Sequence, residues 1–458
     1  MTGTALRHLD RARDGRPAAP VRIAHLGPGN FFRAHQAWYT EHSPDAAEWG
    51  IAAFAGRTGA VARDLAAQDG LYTLVVRAAG GDRAEVVSAL TTVSADLDEW
   101  RRCFARPELA LVTITVTEAG YRRAADGGLD TADPEVAADI AALRADGTAA
   151  EVVTAPGKLA LGLAVRRAGD LPGLAPGIAP GIAPGIAIVP CDNVPDNGAM
   201  VARVVGDLAT AVDPGLAAWI AAHVSFVTTM VDRITPQTTG DDRTTVVTEP
   251  YVEWVLSGEF PQGRPRWEDV GARFVDDLTP WEHRKLWLLN GSHSLMAYAG
   301  PLRGHDTVHE AVSDPVVRGW VDEWWDDAAR HLPLPAQEIT DYRAALLERY
   351  ANPRIRHLLR QIAADGSQKV PIRILPTVRA ELALGRVPTG AARVIAAWVW
   401  HLRGRGAPVV DVAAAEFTAL AAGDLDDAVR RVLARLDIDD ERFRAAVTTS
   451  AHELVPGN

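Results

Sequence analysis

The chain has 458 residues, enough for two or three domains at roughly 150 residues each, and its 48% apolar and 23% charged composition is globular. Acidic side chains outnumber basic ones 59 to 47, a net charge of −12 that disfavours a general nucleic-acid binder, because phosphate contact needs clustered positive charge. Two well-separated cysteines (Cys103 and Cys191), no apolar run of the roughly 18–20 residues a membrane helix needs and a charged leader unlike a signal peptide predict a cytoplasmic protein without disulfides or cysteine zinc sites.

After the leader, 21–26 suits a short buried strand, 27–30 a tight turn and 31–39 the start of a helix. A second apolar stretch at 50–55 completes a βαβ pattern and implies a parallel sheet. Further strands are expected at 72–76, 109–116, 186–189 and 224–231, with helices at 60–68, 135–145 and 159–167. Between 175 and 186 the tetrapeptide Ala-Pro-Gly-Ile occurs three times. Four residues with proline and glycine cannot build a repeat unit, so an expanded surface loop without assigned function is expected. Beyond about 280 the periodicity turns helical, at 281–289, 309–327, 341–349, 355–363, 390–402, 412–421 and 425–435, punctuated by Pro301, Pro333–Pro335 and Pro371–Pro376. The predicted fold is α/β: a Rossmann-type domain with a parallel-rich sheet over 1–280 and a mostly α-helical domain over 281–458. A cleft between them is the natural ligand site.

Gly27-Pro28-Gly29 falls at the strand-to-helix turn where dinucleotide folds bind pyrophosphate. Phe32 stands in place of the third glycine, and a structural glycine turn fits the pattern equally. The acidic residue that normally follows the second strand is missing, and Arg57 and Thr58 stand near its place. An arginine there can meet a 2′-phosphate, so NADP stays open beside NAD.

The segment 285–293 reads Lys-Leu-Trp-Leu-Leu-Asn-Gly-Ser-His. At about 100° per residue, Lys285, Asn290 and His293 span an arc of about 140° on one helix. Leu286, Leu288 and Leu289 would dehydrate them. Desolvation lowers a lysine pKa and suits a general base, while an asparagine amide can donate to an oxygen becoming negative. A solvated face with a helix end at Asn290-Gly291 fits the same spacing. The segments 191–198 (CDNVPDNG) and 230–236 (MVDRITP) follow predicted strands, a usual place for site residues, although self-capping turns would look the same. The stretch 365–369 (DGSQK) looks like a loop at a helix end.

Seven ordered segments, 25–35 (HLGPGNFFRAH), 68–74 (QDGLYTL), 117–121 (TEAGY), 191–198, 230–239, 249–254 and 285–293, resemble one family, the polyol-specific long-chain dehydrogenases or mannitol dehydrogenase family. The resemblance implies a Rossmann-type domain, a helical C-terminal domain and no catalytic metal. It implies Lys285 as general base, Asn290 and Asn193 as oxyanion donors, His293 on a substrate hydroxyl and Glu282 on the proton path. Gly27, Gly29, Asn30, Phe32, Arg57, Glu118 and Asp232 are expected at the cofactor, and Asp232, Lys369 and Arg373 near the substrate. The stretch 365–373 looks most like the branch that interconverts D-fructuronate and D-mannonate, where Arg373 or Lys369 would meet a carboxylate. Mannitol 2-dehydrogenase and arabinitol dehydrogenase are the alternatives. A non-catalytic nucleotide sensor is a remote one, since Lys285, Asn290 and His293 are all present. The expected partners are a nicotinamide dinucleotide and a small sugar derivative, with a monomer favoured.

Overall fold

The computed structural model describes residues 8–56, 59–170, 185–236 and 242–455; Arg57, Thr58 and the tetrapeptide repeats up to 184 lie outside the described residues. The chain divides between Leu278 and Thr279 into two compact units. The first is built on six parallel strands, β1 (Val21–Leu26), β2 (Gly50–Phe54), β3 (Leu90–Ser94), β4 (Leu111–Ile114), β5 (Ile186–Pro190) and β6 (Val224–Phe226). Their order, β3-β2-β1-β4-β5-β6, is the doubly wound dinucleotide-binding order, which reverses between β1 and β4.

Alternate strand residues serve opposite faces. Ala24, Leu26, Phe54, Val112, Ile114 and Ile188 pack with helices Leu97–Phe104, Pro134–Asp146, Ala155–Asp170 and Asn197–Val212. Ile23, Ile51, Ala53, Leu111 and Val189 pack on the other face with Phe32, Tyr39, Trp254 and Trp267. Burial on both faces explains why these strands appear in the sequence as continuous apolar runs.

Three expectations change. Strand Tyr72–Ala78 does not join the large sheet; it forms a hairpin with Gly81–Val87 and pairs in parallel with Thr245–Thr248. The expected strand 224–231 divides at Val227 into β6 and Thr228–Asp232, which pairs antiparallel with Glu253–Ser257 in a third sheet. The helix expected at 31–39 is two helices, Asn30–Ala34 and Gln36–His42, broken at buried His35, whose Nε2 bonds the Glu253 carbonyl at 2.8 Å.

The second unit is helical. Helix Thr389–Leu402, buried along nearly all its length, packs against Pro315–Ala329, Gly291–Ala299 and Glu441–Leu454. The helix expected at 309–327 is broken before Pro315, where Asp314 caps the second segment through the Val316 N–H. The expected loop at 365–369 opens a helix, Gly366–Arg373, that carries Pro371 inside it rather than as a terminator. Among the described residues no helix is long and apolar enough to cross a membrane.

Candidate active site

In the first unit a cavity of about 570 Å³ opens at the C-terminal ends of β1, β2 and β4, lined among others by Gly27, Gly29, Gly56, Thr115, Thr154 and Lys158. Gly27 has φ +99°, and a Cβ there would lie 2.3 Å from the Thr115 carbonyl oxygen, so the turn requires glycine. Gly29 is different: a Cβ would meet nothing nearer than 3.9 Å, and at Gly56 nothing within 4 Å. The protein does not need those positions bare, but a pyrophosphate or ribose approaching the backbone would. These residues fit a dinucleotide.

His25 holds the turn from below. Its Nε2 lies 3.0 Å from the Gly27 carbonyl and its Nδ1 2.7 Å from Thr113 Oγ1, while Thr115 Oγ1 donates to the same Gly27 carbonyl at 2.7 Å. Phe32, fully buried, stacks on the His25 ring at 3.4 Å, so its side chain supports the turn from the core. Asn30 accepts from Arg33 at 2.7 Å, and Glu118 sits exposed among lining neighbours Thr117, Ala119 and Gly120.

Burial pushes His25 down to about 3 and His401 to about 4. Above about pH 6.5 these rings are neutral whether the chain is folded or not. Below it the unfolded chain takes up protons that the fold refuses. Stability is therefore full above about pH 6.5 and falls as the pH drops towards the folded values, by up to about 1.4 kcal/mol per pH unit for a fully buried histidine such as His25. Calorimetry should show a falling Tm from pH 6.5 to pH 4, with a smaller slope in His25→Gln; an equal slope in that variant would refute the assignment.

Two further segments end strands of this unit. At the start of helix Asn197–Val212, which follows β5, buried Asn197 accepts from the Thr229 N–H at 2.9 Å and donates to the Thr229 carbonyl at 3.1 Å, tying this end of the large sheet to Thr228–Asp232. Asp192 accepts from Tyr121 and from the Val194 N–H, which fixes the turn carrying exposed Asn193. Asp232 is the buried last residue of its strand, opposite Glu253.

In the second unit the expected uniform helix is not what forms. Thr279–Arg284 is α-helical, Lys285–Asn290 a π-helical turn, and Gly291–Ala299 α-helical again, with the Gly291 N–H donating to Leu286 five residues back. Bonding five residues apart brings Lys285 and Asn290 towards one face, closer than the α-helical arc predicts. The wider turn leaves carbonyls open to side-chain donors, and four consecutive ones take them. Trp324 Nε1 donates to Trp287 at 2.8 Å and Trp325 Nε1 to Leu288 at 2.9 Å. Tyr350 donates to Leu289 at 3.3 Å and Arg373 Nη1 to Asn290 at 3.3 Å. Gly291 is no helix end; a Cβ there would lie 2.6 Å from Trp324 Nε1, so its bareness admits the indole. Leu288 and Leu289 enter the core, while Lys285, Leu286, Asn290 and Glu282 stay half-buried.

Around this turn lie His293, His357, Lys369 and Arg373. His293 Nε2 is buried without a partner, and burial first, then the nearby His357, Arg349 and Arg373, hold the ring well below its ordinary value, so it is neutral. His357, 5.0 Å away edge-on, carries an unpartnered Nδ1 and stands in no motif that would have exposed it. Lys369 donates to the carbonyls of Ile362 and Ala364 at 3.2 and 2.5 Å. Arg373 binds the Asn290 carbonyl and Ser294 Oγ, and its Nε is sealed without a partner. Burial pushes Arg373 down to about 10, and among the described residues no carboxylate pairs with it. No group of three or more His, Cys, Asp or Glu side chains among the described residues is placed to hold a metal ion.

A family model described as the mannitol dehydrogenase Rossmann domain matches residues 21–269, and one described as the mannitol dehydrogenase C-terminal domain matches residues 277–455. The chain belongs to the mannitol dehydrogenase family. It is 36% identical to D-mannonate oxidoreductase of Escherichia coli K12, covering 86% of this chain and 84% of that protein. It is 34% identical to mannitol 2-dehydrogenase of Cereibacter sphaeroides, covering 86% and 83%. The solved ternary complex of Pseudomonas fluorescens mannitol 2-dehydrogenase with NAD and D-mannitol is 33% identical, with a TM-score of 0.73 over 95% of this chain and 92% of that one. As a mannitol dehydrogenase family member, the protein is an oxidoreductase of CH–OH groups with a dinucleotide-binding Rossmann domain.

Proposed function

We propose that this protein interconverts a secondary alcohol and a ketone on an open-chain sugar acid, D-mannonate and D-fructuronate being the best-supported pair, with NAD as a cofactor. The observation that carries the acid is Arg373: a dehydrated guanidinium with no carboxylate partner among the described residues, bound to the backbone of Asn290. Such a cation favours an anionic substrate group. The likeness to D-mannonate oxidoreductase supports the same reading.

In the oxidative direction Lys285 takes the proton of the reacting hydroxyl. The Asn290 amide binds the oxygen as it gains charge. Neutral His293 orients a neighbouring hydroxyl, Glu282 passes the proton outward, and Asp232 and Lys369 stand near the substrate. Bound nicotinamide supplies the hydride acceptor. Gly27 and Gly29 cradle the dinucleotide. Mannitol is the second reading, favoured by likeness along nearly the whole chain to the mannitol 2-dehydrogenase complex.

Nicotinamide absorbance with fructuronate, tagaturonate and fructose tests the proposal. Fructuronate should give the highest kcat/KM, and Arg373→Leu should lower that value relative to fructose by about 10- to 100-fold, the worth of one charge-assisted bond. A wild-type preference for fructose that Arg373→Leu leaves unchanged would establish the polyol reading instead.

A further inference from the structure

We propose that Lys158 is a cofactor-discriminating residue, placed to bind the 2′-phosphate of an NADP-type dinucleotide beside the end of β2. The inference rests on the dinucleotide reading of the cavity and extends it to a residue outside every motif of the sequence. Lys158 lies in the first turn of helix Ala155–Asp170 and lines the cavity together with Ala55 and Gly56. Its Nζ donates to the carbonyl of Ala55, the residue directly after β2, at 3.3 Å. In doubly wound dinucleotide folds that place belongs to the adenosine ribose. A carboxylate there accepts from the ribose hydroxyls and repels a 2′-phosphate, whereas a cation accommodates it.

The electrostatics of the cavity favour the cation. None of its lining residues among the described ones is Asp or Glu. Its other cation, Arg122, is committed to Asp133 and Glu135. The carboxylate acting on Lys158 is Asp139, which is occupied by the Val153 N–H at 2.9 Å, the Thr154 N–H at 2.9 Å and Thr154 Oγ1 at 2.6 Å. Lys158 is thus a half-buried ammonium held by one long bond to a neutral carbonyl, and burial pushes it below its ordinary range. A phosphate beside it would favour the charged form against that burial and gain a charge-assisted bond.

Calorimetric titration of the full chain with NAD, NADP, 5′-AMP and 2′,5′-ADP tests this without turnover. Wild-type protein should bind 2′,5′-ADP more tightly than 5′-AMP by about 10-fold or more. Lys158→Met should lower the NADP-to-NAD affinity ratio by about 10- to 100-fold, and Lys158→Arg should restore most of it. Equal losses for NAD and NADP would place the ammonium on the pyrophosphate and overturn the proposal, as would an unchanged ratio. If wild-type protein binds NAD but prefers 5′-AMP to 2′,5′-ADP, the proposal fails while the dinucleotide reading stands. If it binds none of the four, both fall.

Discussion

Lys285→Ala should lower turnover by about 10²- to 10⁴-fold in both directions, the range for a lost general base. The π-helical turn brings Lys285 to the face that presents Asn290, while the carbonyls of that turn are held by Trp324, Trp325, Tyr350 and Arg373. None of those four bonds involves the lysine side chain, so they should persist in the variant. Dinucleotide binding, assigned to the other unit, should change little. The oxidation rate of the wild type should rise with pH as the base loses its proton, and this rise should vanish in Lys285→Ala. A chelator should have no effect in either protein. Near-normal turnover of Lys285→Ala, or inactivation by chelation, would exclude the mechanism.

Asn290→Ala should cost about 10²- to 10³-fold in kcat, the effect of removing one oxyanion donor. The change deletes the amide but keeps the backbone carbonyl that anchors Arg373. Lys285 remains, so the pH dependence of oxidation should survive at the lower rate. The two variants therefore separate base from donor: one loses rate and pH dependence, the other rate alone. Gly291→Ala is a structural contrast, because its Cβ would collide with Trp324 and break the indole bond that supports the π turn. If Asn290→Ala abolished the pH dependence too, the residue would be holding Lys285 in place rather than stabilising charge.

Much of the architecture is legible in the sequence because it follows from local pattern. Strands covered on both faces show as apolar runs, and β1, its glycine turn and the helical second half are each announced by periodicity and punctuation. Where pairing partners are remote, local pattern fails. Residues 72–76 look like the next strand of the large sheet, but the chain runs on to Ala78, turns back at Ala79-Gly80 and also pairs with a segment about 170 residues later. Residues 224–231 look like one strand, but Val227 passes the chain from one sheet to another.

The candidate site divides in the same way. The sequence alone supplied the reactive residue types in 285–293, the glycine that the Thr115 carbonyl demands at position 27, and the family to which seven ordered segments belong. Only the tertiary structure decided that 285–290 winds as a π turn, because the donors that satisfy its carbonyls come from Trp324, Trp325, Tyr350 and Arg373, well beyond the span of one helix. It also decided that His25 and His293 are neutral, that Arg373 is dehydrated with no carboxylate partner among the described residues, and that Lys158 reaches the end of β2. Side-chain charge depends on desolvation and on neighbours brought in from distant parts of the chain, and neither is encoded in spacing.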